Sequence, residues 1–146
     1  LAPAPFAAFF KYHDRYLLCA SPERFLQREG ESICSQPIKG TRTRAASAQD
    51  DKAIVEELLG NEKDRAENIM IVDLVRNDLS RICVPGSVQV PELCKVHSYS
   101  HVHQMTSTVC GRLQPGKGFG EILQATFPMG SMTGAPTIEV MKHIEE

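Results

Sequence analysis

The chain has no tryptophan, few aromatic residues of any kind and no excess of charge of either sign. Aromatic side chains make up 6% of its 146 residues, and 16 basic against 18 acidic side chains leave a formal net charge of −2. A nearly neutral chain lacks the basic surface that binds nucleic acid or an anionic membrane. It also lacks an apolar run that could span a bilayer, which takes roughly 20 residues. We therefore expect neither nucleic acid nor a membrane as a partner.

Cysteine is present, but without the spacing of a disulfide framework or a zinc site. The cysteines are odd in number and scattered, and no two of them form a Cys-x-x-Cys pair. Such usage is typical of reduced, partly buried thiols in a cytoplasmic protein. We therefore expect a cytoplasmic protein in which these five thiols are reduced: Cys19, Cys34, Cys83, Cys94 and Cys110.

Apolar alternation and helical periodicity occur in turn along the chain and predict an α+β fold. Paired strands predict two hairpins, the second with Gly30 at its turn. The predicted strands are 6–11, 16–20, 24–28, 32–36, 87–90, 95–96 and 103–113, the helices are 48–59, 63–81 and 119–126, and the loops are 37–44 and 127–135. Gly60 is the predicted C-cap of the first helix, and the apolar middle of the second predicts burial on more than one side. The mixture favours antiparallel β-sheets with flanking helices.

Residues 37–42 follow a predicted strand and concentrate groups that bind anions. Gly40 lets backbone N–H groups approach a ligand closely. Thr41 can donate a hydrogen bond, while Lys39 and Arg42 supply positive charge for a carboxylate. A lysine that also loses solvation can become a nucleophile. The alternative is a solvated basic loop, which is common on protein surfaces.

Two glutamates stand where a carboxylate is unusual. Glu67 lies near the start of a strongly apolar helix, where a carboxylate needs a partner. Lys63, four residues earlier, could pair with it, or it could hold Mg²⁺, which takes one or two carboxylates. Glu23 follows Pro22 at a strand end, where it could act as general acid or base or cap the following turn. The residues alone leave these alternatives open.

Two further segments carry groups suited to ligands. His101 and His103 could place both rings on one face of a strand, but no third zinc ligand is near in sequence. One of them could act as an acid, or local hydrogen bonds could satisfy both. The glycine-containing segment 127–136 opens a predicted helix whose N–H groups suit an anion. It matches no nucleotide-binding motif, and a capped structural turn is the alternative.

Taken together and in order, five blocks of the sequence resemble the chorismate-utilising enzymes, which include anthranilate, aminodeoxychorismate, isochorismate and salicylate synthases. The blocks are SPERFL at 21–26, PIKGTR at 37–42, AENIMIVDLVRNDL at 66–79, VHQMTS at 102–107 and FPMGSMTGAP at 127–136. The resemblance implies the fold of that family and chorismate as the substrate. It also implies that residues 1–146 are an internal portion of a single chorismate-binding catalytic domain, truncated at both ends.

The resemblance implies roles for individual residues. Glu23 is expected to be the acid or base beside the chorismate ring, and Glu67 to be one of two glutamates that hold Mg²⁺ on the ring carboxylate. Gly40 and Thr41 are expected to contact the substrate. The second glutamate, and an arginine for the substrate, are expected in segments that follow Glu146. We therefore expect this chain alone to bind Mg²⁺ and chorismate weakly and to be inactive.

Three more residues are expected to line the substrate pocket. The turn at Gly134 and Ala135 resembles one of its walls. Gln104 stands where many relatives carry histidine, and an amide can orient a substrate oxygen but cannot donate a proton as imidazolium does. Thr137 stands where relatives usually carry lysine, which removes one positive charge near a dianion.

Lys39 points to one branch of the family. Anthranilate synthases typically carry alanine there, whereas lysine is similar to the aminodeoxychorismate synthases, in which the amine is proposed to form a covalent intermediate that ammonia displaces. The implied reaction converts chorismate and ammonia to 4-amino-4-deoxychorismate, on the path to p-aminobenzoate and folate, with ammonia from a glutamine amidotransferase subunit. The alternatives are an anthranilate or isochorismate synthase, and a non-catalytic truncated homologue that binds a partner subunit.

Overall fold

A computed structural model describes residues 4–133. Its first element is an isolated hairpin of β1 (Phe6–Tyr12) and β2 (Arg15–Ser21), which pair antiparallel. His13 takes a positive φ of 53° at the turn, in the left-handed region that histidine tolerates better than most residues. The sequence prediction of a hairpin here is confirmed.

The main sheet has five antiparallel strands arranged around one long central strand. The strands are β3 (Arg24–Glu29), β4 (Ser32–Gln36), β5 (Ile38–Thr43), β6 (Gln89–Ser98) and β7 (Val102–Arg112). The last of them, β7, is the central one. β4 and β5 pair one after the other along one edge of β7, and β6 pairs along its other edge. β3 pairs with the outer edge of β4. Because β7 spans 11 residues, it is long enough to pair with both β4 and β5.

The sequence prediction of a loop over 37–44 is wrong, because β5 occupies most of that segment. The side chains of β5 are mostly polar and do not show the apolar alternation typical of a strand. The strand forms because its backbone pairs with the backbone of β7. The predicted strands at 87–90 and 95–96 are also one strand, β6. Cys94 has a φ of 52°, and the register of β6 shifts twice. These irregularities interrupt the alternation that predicts a continuous strand.

The helices lie mainly on one face of the main sheet, and α1 (Ala48–Gly60), α2 (Glu62–Ser80) and α3 (Phe119–Thr126) agree closely with the sequence prediction. A further single turn, α4 (Gly130–Thr133), lies inside the predicted loop 127–135, so the loop prediction is wrong there. Ser47 caps α1 by accepting a hydrogen bond from the N–H of Asp50, as N-cap serines do. Gly60 is not the C-cap: Asn61 ends α1, and its side chain caps α2. The α+β prediction is confirmed.

The core forms between α2 and β7, with contributions from β4 and α3. Its buried apolar residues are Ile33, Leu58, Ile71, Val72, Leu79, Ile82, Cys83, Cys94, Met105, Val109, Leu113 and Ile122. The expectation that the middle of α2 is buried on more than one side is wrong within residues 4–133. Ile71 and Val72 face the sheet, whereas Ile69 and Met70 are each 45% exposed, because nothing in the described part of the chain covers that side.

One polar cluster is buried within this core. The Asn68 side chain is fully buried, and its Oδ1 accepts a short hydrogen bond from the hydroxyl of Ser107. That hydroxyl accepts the N–H of Cys94 at 2.8 Å, where the irregular backbone of β6 would otherwise leave a buried donor unpaired. The cluster therefore ties α2 to both β7 and β6.

The β1–β2 hairpin exposes an unusual amount of apolar surface. Its exposed large residues are Phe9, Phe10, Tyr12, Tyr16, Leu17 and Leu18. Isolated exposed apolar residues are normal, but a contiguous set marks a surface that contacts something else. None of the helices within residues 4–133 combines the length and apolar character needed to cross a membrane.

The expectation that all five thiols are reduced is wrong for one pair. Cys34 on β4 and Cys110 on β7 are direct neighbours in the antiparallel register, and a disulfide joins them. They are 76 residues apart in sequence, so their spacing does not indicate the pair. Cys19 is exposed with a free thiol, and Cys83 and Cys94 are buried with free thiols.

Candidate functional site

Glu23 lies between β2 and β3, with its carboxylate directed at two distant segments. One oxygen accepts the N–H of Ile38 at 3.3 Å, and the other accepts the hydroxyl of Ser131 at 2.6 Å. The local turn is capped by Ser21, whose hydroxyl oxygen accepts the N–H of Glu23 at 3.2 Å. Glu23 therefore does not cap the turn that follows it. Its carboxylate is fixed by tertiary contacts, as the position of an acid or base requires.

Lys39 reaches the same residue as Glu23. Its Nζ lies 3.4 Å from the backbone carbonyl oxygen of Ser131. Lys39 and Glu23 are 16 residues apart in sequence, and both contact Ser131. Lys39 approaches its backbone carbonyl oxygen, and Glu23 accepts a hydrogen bond from its hydroxyl. Sequence reasoning included Ser131 in the glycine-containing segment but did not identify it as a contact of either. The only signal in the sequence was its place beside Gly130 in that segment.

A β-bulge determines which predicted residues share a face of the sheet. Between Ile38 and Thr41 the register with β7 shifts, so that Lys39 and Gly40 together oppose Met105. Two residues opposite one is the definition of a bulge. Met105 faces the helices and is fully buried. The bulge therefore brings Lys39 and Gly40 to the helical side.

Thr41 and Gln104 are not brought together with Lys39. They oppose each other in the register of β5 and β7, and directly opposed residues share one face. Their neighbours Arg42 and His103 face the helices, where Arg42 bonds Glu57 and Asp64. Alternation therefore places Thr41 and Gln104 on the other face of the sheet. Their predicted contact with the substrate stays a prediction.

Gly40 has a structural reason to be glycine. Its φ is +87°, and a Cβ there would lie 3.0 Å from both the Cγ of Asp64 and the Cδ1 of Leu58. The backbone of β5 therefore packs directly beneath α1 and α2. This close approach accounts for the glycine without a ligand, so its predicted substrate contact stays a prediction.

Glu67 lies on the side of α2 that borders β5 and α4. Asp64, one turn before Glu67, lies close to Gly40 of β5. Leu74, two turns after Glu67, lies so close to Gly130 of α4 that a Cβ on that glycine would overlap it. Residues spaced by three and seven lie on one side of a helix. The Glu67 side chain is 43% exposed and lies 3.9 Å from Lys63 Nζ, so the ion pair that the spacing indicates is present. Such an exposed pair stabilises a helix by only about 0.5 kcal/mol and could yield to a stronger ligand.

The expected Mg²⁺ site stays a prediction. Within residues 4–133, no three His, Cys, Asp or Glu side chains cluster so as to hold a metal ion. Glu67 fits the chemistry of one Mg²⁺ ligand, because it is accessible and only weakly paired. The second glutamate that the resemblance implies is expected in segments that follow Glu146. Gly134 and Ala135, the predicted pocket wall, lie outside the described residues.

Two hollows adjoin Glu23. A small one of about 20 Å³, enough for about one water, is lined by Glu23, Ser35, Asp78, Gly130 and Ser131 among others. The other is an open groove of about 840 Å³ on the apolar side of β3 and α3. Burial raises the pKa of Asp78, while nearby Arg81 acts in the opposite direction. Glu23 therefore stands between a small, mainly apolar pocket and an open groove large enough for a small ring.

His103 is a satisfied buried residue. Its Nε2 lies 2.9 Å from the carboxylate of Asp51 and its Nδ1 lies 2.8 Å from the hydroxyl of Ser98. Hydrogen bonds from Arg44 and then His103 hold the pKa of the Asp51 carboxyl well below its usual range. His103 faces α1, away from Gln104, so it does not replace the histidine expected at position 104. His101 is exposed.

Comparison with known proteins places this arrangement in a family. The model of the family described as "chorismate binding enzyme" matches residues 1–146. Aminodeoxychorismate synthase component 1 of Salmonella typhimurium is 48% identical over 143 residues, which are 98% of this chain and 32% of that protein. Anthranilate synthase component 1 of Saccharolobus solfataricus is 43% identical over 98% of this chain and 34% of its own length.

The fold agrees with the same family. The crystal structure of anthranilate synthase component I from Streptococcus pneumoniae superposes with a TM-score of 0.82 at 37% identity, covering 97% of this chain and 31% of that one. The chain spans between a fifth and about a third of the length of the first curated relatives it matches. By its family match and its fold, the chain belongs to the chorismate binding enzymes.

Proposed function

We propose that this chain is part of the aminating subunit of an aminodeoxychorismate synthase, which converts chorismate and ammonia to 4-amino-4-deoxychorismate. The observation that carries the proposal is the convergence of the Lys39 amine and the Glu23 carboxylate on Ser131. The similarity to an aminodeoxychorismate synthase component 1 supports it. Identity alone does not decide between the branches, because an anthranilate synthase is 43% identical. The amine at position 39 is what favours the aminating reaction.

Lys39 and Glu23 divide the chemistry between them. The Lys39 ammonium first passes a proton to the Glu23 carboxylate and becomes the nucleophilic amine; its nitrogen then forms a bond to the ring, and the C4 hydroxyl leaves as water with the proton that Glu23 received. Ammonia then forms its own bond to the ring and displaces the Lys39 nitrogen, which returns as the amine. Splitting one difficult displacement into two steps is what a nucleophilic amine offers. Ser131 holds both groups in place until the substrate takes over those contacts.

Magnesium and the remaining partners belong to the same proposal. Glu67 would supply one carboxylate to a Mg²⁺ ion, which when bound would neutralise the ring carboxylate. Ammonia would come from a glutamine amidotransferase subunit, and the protein would be cytoplasmic.

The exposed apolar hairpin and the exposed side of α2 support a longer catalytic domain of which residues 1–146 are an internal portion, inactive alone. The rest of that domain would supply the second metal carboxylate.

The experiment begins with the reading frame that contains this chain. The full-length product is incubated with chorismate, Mg²⁺ and ammonia, and the lyase that releases p-aminobenzoate is then added. p-Aminobenzoate is the expected product, with no turnover by residues 1–146 alone. Anthranilate or isochorismate as the product would refute the proposal. Absence of both turnover and Mg²⁺-dependent chorismate binding would favour a partner-binding module.

The role of Lys39 is tested with matched variants. In Lys39→Ala we expect no covalent adduct between protein and substrate by intact mass, and Lys39→Arg, which keeps the charge but not the nucleophilic amine, should behave in the same way. Lys52→Ala, at an exposed position of α1 where the lysine pairs only with Glu56 among the described residues, is the control and should form the adduct normally. An adduct that survives in Lys39→Ala would remove that residue from its role.

A further inference from the structure

The Cys34–Cys110 pair lies at a position where two sulfurs stay opposite each other whether or not they are bonded. The Cα atoms are 4.2 Å apart, close to the roughly 4.5 Å of the closer kind of directly opposed pair in antiparallel strands. On either side the register continues with Ile33 opposite Gly111 and Ser35 opposite Val109. Ile33 and Val109 are core residues that are almost fully buried. The core therefore holds the two strands in register without help from the disulfide.

One of the two cysteines lines an open hollow. The hollow has a volume of about 310 Å³, and beside Cys110 its polar lining residues are Glu31, Ser32, Ser87, Gln89 and Arg112. Both cysteines are only partly buried. Exposed disulfides are more readily exchanged by thiols than buried ones. The hydroxyl and guanidinium groups around the hollow would accommodate a polar, anionic thiol, since both can donate hydrogen bonds to a carboxylate.

We propose that Cys34 and Cys110 form a reversible thiol–disulfide site that exchanges with small peptide thiols of the glutathione type. The peptide thiolate attacks the sulfur of Cys110, which forms a mixed disulfide and releases the Cys34 thiolate. A second peptide thiol attacks the mixed disulfide, so that two protein thiols and one peptide disulfide result. Two electrons pass from two peptide thiols to the protein disulfide, and oxidation by the peptide disulfide follows the same steps in reverse.

The remaining cysteines of the chain provide internal standards. Cys83 and Cys94 are buried and Cys19 is exposed, and burial raises the pKa of the Cys83 thiol. A water-soluble aromatic disulfide reagent should therefore titrate Cys19 in the native protein but neither buried thiol. In a Cys19→Ser background the reactive native thiols should number zero when the pair is oxidised and two when it is reduced.

The test uses the Cys19→Ser protein in glutathione buffers of varying ratio, with native thiols counted by the same reagent and mapped by alkylation and peptide mass analysis. We expect the count to move reversibly between zero and two, with Cys34 and Cys110 as the alkylated residues. A bond that opens only after denaturation would overturn the proposal, as would two thiols that never pair in oxidised glutathione.

The direction of attack is tested separately. With Cys34→Ser, oxidised glutathione should label Cys110 readily, whereas with Cys110→Ser it should label Cys34 more slowly. Equal rates would contradict entry through the Cys110 hollow. Cys94→Ala in the Cys19→Ser background is the control and should leave the titration between zero and two unchanged. The site does not depend on the proposed function, since none of these measurements uses chorismate.

Discussion

Replacing Asn68 with alanine should reveal how much of the stability depends on the buried polar cluster that ties α2 to the sheet. In the folded chain Asn68 Oδ1 accepts the hydroxyl of Ser107, and its Nδ2 lies 3.5 Å from the carbonyl oxygen of Met105. Truncation leaves the Ser107 hydroxyl without an acceptor in a fully buried position. An unsatisfied buried donor costs about 1 to 3 kcal/mol, and the lost contacts of the amide add to that.

We expect Asn68→Ala to lower the free energy of unfolding by about 3 kcal/mol, which for a chain of this size corresponds to roughly 10 °C in melting temperature. Urea denaturation followed by circular dichroism measures the change. Asn77→Ala is the matched control, because Asn77 lies on the same helix but is exposed. Surface substitutions of that kind usually stay within about 0.5 kcal/mol.

A double-mutant cycle separates the hydrogen bond from general damage to the helix. Ser107→Ala leaves the N–H of Cys94, 2.8 Å from the serine oxygen, without an acceptor, so it is also destabilising by itself. Combined with Asn68→Ala, it removes the orphaned hydroxyl, and the pair should be less destabilised than the sum by about 1 to 2 kcal/mol. Strict additivity would refute the view that these two side chains form one cluster.

Three further outcomes follow from the geometry. Gly40→Ala should lower the free energy of unfolding, measured by denaturation, by about 2 kcal/mol, because the new Cβ is strained at a positive φ and overlaps α1 and α2. Gly30→Ala is the control: it adds only the strain at a positive φ and should lower the free energy of unfolding by about half as much. Gly130→Ala overlaps Leu74 and should cost about 1 to 3 kcal/mol; if Leu74→Ala in the same protein does not relieve part of that cost, the overlap is not its cause. The pKa of the Asp51 carboxyl is lower in the folded chain than in the unfolded one, so its stabilising contribution is complete above about pH 4 and is lost as the pH falls below that value. Asp51→Asn should therefore flatten the acid limb of a plot of stability against pH, and an unchanged limb would contradict that assignment.

The sequence predicted those elements whose signal is local. The two hairpins, α1, α2 and α3 follow from turn residues, caps and apolar periodicity, and their bounds agree with the structure to within about two residues. β5 could not be predicted, because its pairing depends on β7, which lies some 60 residues later, and its own side chains are polar. The disulfide was missed for the same reason: Cys34 and Cys110 become neighbours only through the register of two strands.

The site was predicted unevenly for a related reason. Glu23 and Lys39 were identified from residue type and resemblance, and the structure brings both to Ser131. The resemblance implies that Thr41 contacts the substrate, and this stays a prediction. The bulge at Lys39 and Gly40 changes the alternation, so that Thr41 faces the other side of the sheet. A bulge depends on the partner strand, and for that reason no inspection of residues 37–42 alone reveals it.

The same bulge region is held by contacts that do not involve the side chain at position 39. The backbone at this point is held by the ladder to β7 and by the packing of Gly40 beneath two helices, not by the side chain at position 39. That side chain extends toward Ser131, and among residues 4–133 its one hydrogen-bond contact is long, 3.4 Å. Exchange of lysine for alanine would therefore remove the amine while the strand, the bulge and Glu23 keep their places. Lys39→Ala should change stability by less than about 0.5 kcal/mol, so a large loss of stability in that variant would contradict this separation of fold from chemistry.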